Sequence, residues 1–202
     1  MIQTMTRRRL MLSTAATALV AACTSPNPRL YTLGPMPGTP RTGGPGIVLL
    51  HQIAVARYLE RPEIVRSSEN YRLDIMANDA WGEPLAAMIA RVLAEDLSQR
   101  LPGTTVVNAA GAITAPEDAA VEVNIQRMDM DATRALVLVA QAAVTFAKPS
   151  GSQKTRAFRT AVPLTSTLIN EEVQAMSIAL GRLADEIALM LHQLPAPRRH
   201  RR

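Results

Sequence analysis

Apolar positions along the chain follow two different spacings, and each spacing predicts one kind of element. Residues 71–76 alternate between apolar and polar side chains, and residues 46–56 have apolar side chains at Val48, Leu50, Ile53 and Val55, so both segments are predicted to be strands. Residues 85–97 carry them at every third or fourth position, which predicts a helix that begins near Glu83 and Pro84 and stops at residues 102–103. The mixed bases and acids of residues 57–66 predict a loop.

The second half of the chain predicts a group of strands followed by one long helix. Residues 104–108 form a short strand, and the apolar parity of residues 121–130 changes near 126–127, which predicts a bulge. Residues 136–146 are apolar almost throughout, as in a central strand, and form a hairpin with 155–164. A helix follows from Asn170, the expected N-cap, to Leu194. The pattern predicts an α+β fold: a two-layer sandwich with a mostly antiparallel sheet of about five to six strands and two long amphipathic helices on one face.

The N-terminus has the three parts of a bacterial lipoprotein signal peptide. Residues 7–9 are arginines, residues 10–20 are apolar, and Val20-Ala21-Ala22-Cys23 has the form of a lipobox around the only cysteine. Residues 1–22 are therefore predicted to be removed between Ala22 and Cys23, whose thiol takes a diacylglycerol before cleavage and whose amine takes an N-acyl chain, such as palmitate, afterwards. An ordinary secretory signal followed by a stray cysteine and an uncleaved anchor are the alternatives. The apolar run is shorter than the roughly 20 residues that a membrane span needs.

Lipidation would divide the chain into a tether, a domain and a tail. Residues 23–46 form a lipidated, Pro/Gly-rich segment, residues 47–195 the folded domain, and residues 196–202 a basic tail. If residues 30–33 are a strand, the tether reaches about 20 Å, and if the whole segment is a linker, about 70 Å. Thr24 replaces the Asp that commonly retains lipoproteins at the inner membrane, so the periplasmic face of the outer membrane is predicted. Residues 6–11 also resemble a twin-arginine signal, and the export route stays open.

Charge and aromatic content narrow the classes of partner. The chain has 22 bases and 17 acids. Three of the bases lie in the predicted signal and four in the tail, so residues 23–197 contain 15 bases and 17 acids. A domain with a net charge near −2 and few aromatic residues lacks the basic, aromatic face that nucleic acid requires. The scarcity of aromatic residues also disfavours a roomy ligand pocket.

The sequence offers no constellation of catalytic residues. The histidines are scattered, and metalloprotease, phosphate-loop and nucleophile-elbow motifs are absent from it. Asp129 and Asp131 share one side of a predicted strand but have no evident third ligand. We therefore predict a protein that is not an enzyme, with no catalytic residue, no metal and no cofactor other than the covalent lipid on Cys23.

Two sequence blocks and a shorter motif carry a resemblance to a known family. Residues 58–66, the block Trp81-Gly82-Glu83-Pro84-Leu85 with its following helix, and residues 30–34 resemble the ABC-type transport auxiliary lipoproteins, the paraquat-inducible C (PqiC) family. The resemblance covers essentially the mature chain. Ala80 departs from it, since a base is expected before the tryptophan.

The resemblance implies an accessory subunit of a phospholipid transport system that supports the cell envelope. Family members are expected to form homo-oligomeric rings that dock the periplasmic end of a mammalian-cell-entry (MCE) protein. The candidate partner or subunit contacts are Arg61, Glu63, Arg66, Trp81 and Glu83. The same residues are also explained by a loop and helix start that ion pairs and a buried indole hold in place. The alternative function is a lipoprotein that binds a lipid or small ligand alone in the periplasm.

Overall fold

The structure is a computed structural model that describes residues 27–67, 71–113, 115–147 and 152–192. In these residues the chain forms nine strands, one short 3₁₀ helix (Arg57–Leu59) and two α-helices. The elements are β1 (Arg29–Tyr31), β2 (Ile47–Leu50), β3 (Ala54–Val55), β4 (Glu63–Ser67), β5 (Leu73–Trp81), α1 (Leu85–Arg100), β6 (Thr105–Asn108), β7 (Ala119–Met130), β8 (Ala135–Phe146), β9 (Gln153–Pro163) and α2 (Ile169–His192).

A six-stranded mixed sheet forms one layer, and the two helices pack on it as the other. The strand order is β6-β2-β7-β8-β9, and β3 continues beside β7. The long pairings of β7, β8 and β9 are antiparallel, whereas the short pairings of β2, β3 and β6 are parallel. The apolar stripes of both helices close a mainly aliphatic core. The predicted α+β sandwich is confirmed.

Side-chain parity explains two irregularities of the large sheet. The pairing of β7 with β8 skips Gln126, so the bulge predicted near 126–127 is present. The strand predicted over residues 46–56 is broken into β2 and β3. In one continuous strand, Leu50 and Ile53 would point to opposite faces of the sheet because they are three residues apart. The break lets both side chains reach the core.

A second, three-stranded sheet was not predicted. Its order is β1-β5-β4, and β1 runs parallel to β5 while β4 runs antiparallel to it. The prediction of a loop through residues 57–66 is wrong from residue 63 onward, because β4 begins there. Ile64 and Val65 are adjacent and both buried, so β4 lacks the alternation that marks a half-buried strand. β5 extends five residues beyond the predicted end at residue 76.

The second α-helix begins one residue earlier than predicted. Helix α2 begins at Ile169, so Asn170 lies inside it and is not the predicted N-cap. Cys23, the predicted signal peptide, Leu194 and the basic tail lie outside the described residues. Neither α-helix in the described part is long and apolar enough to cross a membrane.

Candidate functional site

Three of the five candidate contact residues surround one open cavity. Trp81 ends β5 with only 7% of its surface exposed, and its backbone N–H donates to the Pro62 carbonyl at 2.7 Å. The cavity has a volume of about 360 Å³. Its lining consists of Val55, Glu60, Arg61, Pro62, Trp81, Glu83, Pro84, Leu85 and Ala86. We call it the Trp81 cavity. It combines an apolar floor with charged residues, an arrangement that suits an apolar side chain of a partner.

Ion pairs hold Arg61 and Glu83, two of the three charged residues that line the Trp81 cavity, in place. Arg61 donates from Nε to Glu63 Oε2 at 3.0 Å, and this hydrogen bond lowers the pKa of Glu63. Glu83 accepts from Arg91 Nη2 at 2.8 Å. Ala80, where a base was expected, lies opposite Glu63 in the β4–β5 register. In this chain the base that pairs with Glu63 is Arg61.

Arg66 does not join the other four candidates. Its Nε donates to the buried carboxylate of Glu172 at 2.7 Å, and its Nη2 donates to the Thr167 carbonyl at 2.7 Å. Burial raises the pKa of Glu172, and the bond from Arg66 opposes that rise. Arg66 therefore fixes the start of α2 against β4 and has a structural role.

The Pro/Gly-rich residues 33–46 lie across both helices, and we call them the strap. Leu33 is buried, and the Met36 N–H donates to Asp96 Oδ1 at 2.7 Å. The Arg41 N–H donates to the backbone carbonyl of Arg100 at 2.7 Å. These contacts make the strap part of the fold, so it is not a linker.

Arg100 lies at the centre of the strap contacts, although only 1% of its surface is exposed. It donates to the carbonyls of Met36 (3.0 Å) and Gly181 (3.0 Å) and to Asp185 Oδ1 (2.6 Å). A Cβ atom at Gly38 would overlap its guanidinium, so the glycine permits the close approach. Arg100 is not among the residues predicted from the sequence. The sequence feature that marks Arg100 is its position, which continues the apolar spacing of α1 and so indicates a buried side chain.

Asp96 should make the stability of the protein fall with rising pH. Burial raises its pKa to about 6, while the Met36 N–H and Arg100 oppose the rise and Glu95 and Asp185 add to it. A raised pKa in the folded state means that the stability contribution is full below the ordinary value of 3.8 and is lost as pH rises through about 6. Urea unfolding of wild type and Asp96→Asn should show the wild-type advantage shrinking by about 1–3 kcal/mol between about pH 4 and pH 7. A constant difference would contradict the assignment.

The two aspartates considered as half of a metal site have other partners. Asp129 accepts from the Tyr58 hydroxyl at 2.6 Å and from Arg127 Nη2 at 2.9 Å. Burial and this carboxylate raise the pKa of Tyr58. Asp131 accepts the Thr133 N–H at 2.9 Å and holds the β7–β8 turn. In the part of the chain that the structure covers, no three histidine, cysteine, aspartate or glutamate residues form a metal-binding group.

Comparison with known proteins identifies the family of the chain. An uncharacterised protein of known crystal structure superposes with a TM-score of 0.69 at 19% identity, covering 82% of this chain and 99% of its own. The crystal structure of protein XCC0632 from Xanthomonas campestris, of family DUF330, gives 0.63 at 18% identity, with 81% and 94% covered. These likenesses show a shared fold. No curated protein sequence matches the chain. The model of the ABC-type transport auxiliary lipoprotein component matches residues 31–188, and the chain belongs to that family.

Proposed function

We propose that the protein is an accessory, non-enzymatic subunit of an MCE-type ABC lipid transport system that supports envelope integrity. Diacylglycerol and N-acyl chains on Cys23 hold it on the periplasmic face of the outer membrane, where it forms a ring and docks the MCE protein. Membership of the auxiliary lipoprotein family supports the transport role. The lipobox supports the anchor, since two or three acyl chains bind a membrane durably whereas one does not.

The observation that carries the docking role is the Trp81 cavity. It is open at the surface, its floor is apolar, and the ion pairs of Arg61 and Glu83 fix its charged residues. Interface hot spots commonly have this construction, in which an apolar anchor enters a pocket that surrounding polar contacts shield from water. We assign the pocket to a partner subunit of the transport system.

Ala86→Glu tests the docking role. Ala86 lines the Trp81 cavity, and its replacement would place a carboxylate where the partner's apolar side chain enters. The variant should lose at least about tenfold in co-purification with the MCE protein, because an unpaired buried charge costs more than 1.4 kcal/mol. The measurement is quantitative pull-down from detergent-solubilised membranes.

Ala87→Glu is the matched control, since Ala87 is the exposed neighbour in the same first turn of α1. Both variants add an acid near the helix N-terminus, where acids stabilise a helix. Equal losses, or none in either variant, would count against the docking role. Native mass spectrometry separates the carrier alternative: a monomer with bound lipid supports that alternative, whereas a lipid-free ring supports the subunit.

A further inference from the structure

The direction of β1 fixes the side from which the tether enters the domain. β1 runs parallel to β5, and Arg29 lies beside Asp79 and Tyr31 beside Trp81. Asn27 and Pro28, the described residues that precede Arg29, therefore approach from the side on which β5 begins. Cys23 lies six residues before Arg29, and Leu73 lies six residues before Asp79. Six residues reach at most about 20 Å, so acyl chains on Cys23 are within reach of the start of β5.

Exposed apolar side chains concentrate at that same end of the molecule. Six large apolar residues are exposed in the described chain, and three of them follow one another at alternate positions here. Tyr71 is fully exposed with a left-handed backbone (φ 62°), and Leu73 and Ile75 are each 45% exposed. Scattered exposed apolar residues are ordinary, but a concentrated group indicates a binding surface.

The β7–β8 turn extends this surface with polar groups. A groove of about 710 Å³ lies between the start of β5, including Tyr71 and Leu73, and the residues Arg127 and Asp131 of the β7–β8 hairpin. Arg134, exposed in the β7–β8 turn, accepts the Leu164 N–H through its backbone carbonyl, which ties the approach to α2 to the same end. Apolar and aromatic tips beside arginines match the interfacial layer of a bilayer, where aromatic rings and arginine side chains are favoured.

We propose that Tyr71, Leu73 and Ile75 form a second membrane contact, which rests on the phospholipid surface that holds the Cys23 acyl chains. The inference depends on the proposed lipid anchor. The anchor brings the surface within about 20 Å of the bilayer and makes a weak contact effectively intramolecular. The contact orients the domain, because a single flexible attachment leaves it able to rotate, whereas two attachments present one fixed end to the membrane.

Site-specific fluorescence on the intact, acylated protein tests the contact. Because acylation blocks the thiol of Cys23, a new cysteine takes the environment-sensitive label NBD alone. Leu73→Cys places the label on the proposed surface. Gln153→Cys is the control, because Gln153 is exposed at the other end of the long β8–β9 pairing. In vesicles of phosphatidylethanolamine and phosphatidylglycerol, nitroxide lipids should quench the label at 73 at least about threefold more than the label at 153.

A further variant separates a contact made by the protein from one made by the label. Adding Tyr71→Ser and Ile75→Ser to Leu73→Cys should abolish most of the extra quenching while the protein still floats with the vesicles. Equal quenching at 73 and 153 in floating protein, or quenching unaffected by the serines, would overturn the contact and leave the anchor intact. Protein that fails to float and carries no acyl mass would overturn both.

Discussion

Cys23→Ser should abolish lipid attachment of the protein and leave its domain folded. The lipid donor requires the thiolate as nucleophile, and a hydroxyl is far less nucleophilic. Position 23 precedes the described residues, and the core is formed by residues from Leu33 onward, so unfolding curves of the domain should be unchanged. Unprocessed precursor should accumulate, because the lipoprotein peptidase acts after acylation, and envelope function should be lost.

Membrane fractionation and mass measurement of the wild-type N-terminus decide this prediction. Thr24→Asp is the matched control, since it keeps the acylated cysteine and introduces the residue that commonly retains lipoproteins at the inner membrane. It should move the protein between membranes without removing the lipid. A wild-type N-terminus without acyl mass, or a matured serine variant that still floats with outer membranes, would refute the lipoprotein assignment.

Arg100→Met should produce the largest loss of stability that we expect from a side chain in the described domain. The substitution leaves the Asp96 carboxylate buried without its nearby cation and removes the donors to the Met36 and Gly181 carbonyls. Breaking a buried ion pair from one side costs about 3–5 kcal/mol. Urea unfolding of the purified protein measures the loss, and hydrogen exchange at the Met36 and Arg41 amides should report earlier opening of the strap.

Arg91→Met serves as the control on the same helix. Arg91 pairs with Glu83, but both side chains are more than a third exposed, so their pair contributes only about 0–1 kcal/mol. If Arg100→Met were no more destabilising than Arg91→Met, the strap would not depend on the buried arginine.

The regular elements followed from the sequence because local spacing and core burial agree there. The parity change at residue 126 located the bulge, and the stripes located both helices. β4 was not predicted because its neighbouring residues Ile64 and Val65 are both buried, so the alternation of buried and exposed side chains that marks a strand is absent. The packing of the strap on the helices was not predicted, because a Pro/Gly-rich composition is typical of a linker. Its order comes from partners such as Asp96 and Arg100, which lie about sixty residues away.

The candidate site was predicted in part for the same reason. Residues 61, 81 and 83 converge because Pro62 pairs with the end of β5 immediately before α1 begins, and both sequence blocks contain these positions. Arg66 does not line the Trp81 cavity, because its side chain pairs with Glu172, which is 106 positions away on α2. A composition of bases and acids shows that ion pairs are available, but only the tertiary fold decides which acid each base meets.

The parallel β1–β5 pairing also determines how the domain would bear mechanical load. With the proposed acyl chains on Cys23, tension along the axis of β1 would enter at Arg29 and would shear the β1–β5 hydrogen bonds together instead of breaking them one by one. Behind β1, the same load reaches the strap, which Arg100 clamps to both helices. Forced unfolding depends on the unfolding rate and not on equilibrium stability. An envelope whose two membranes move relative to each other would therefore load the β1–β5 pairing first and the strap after it.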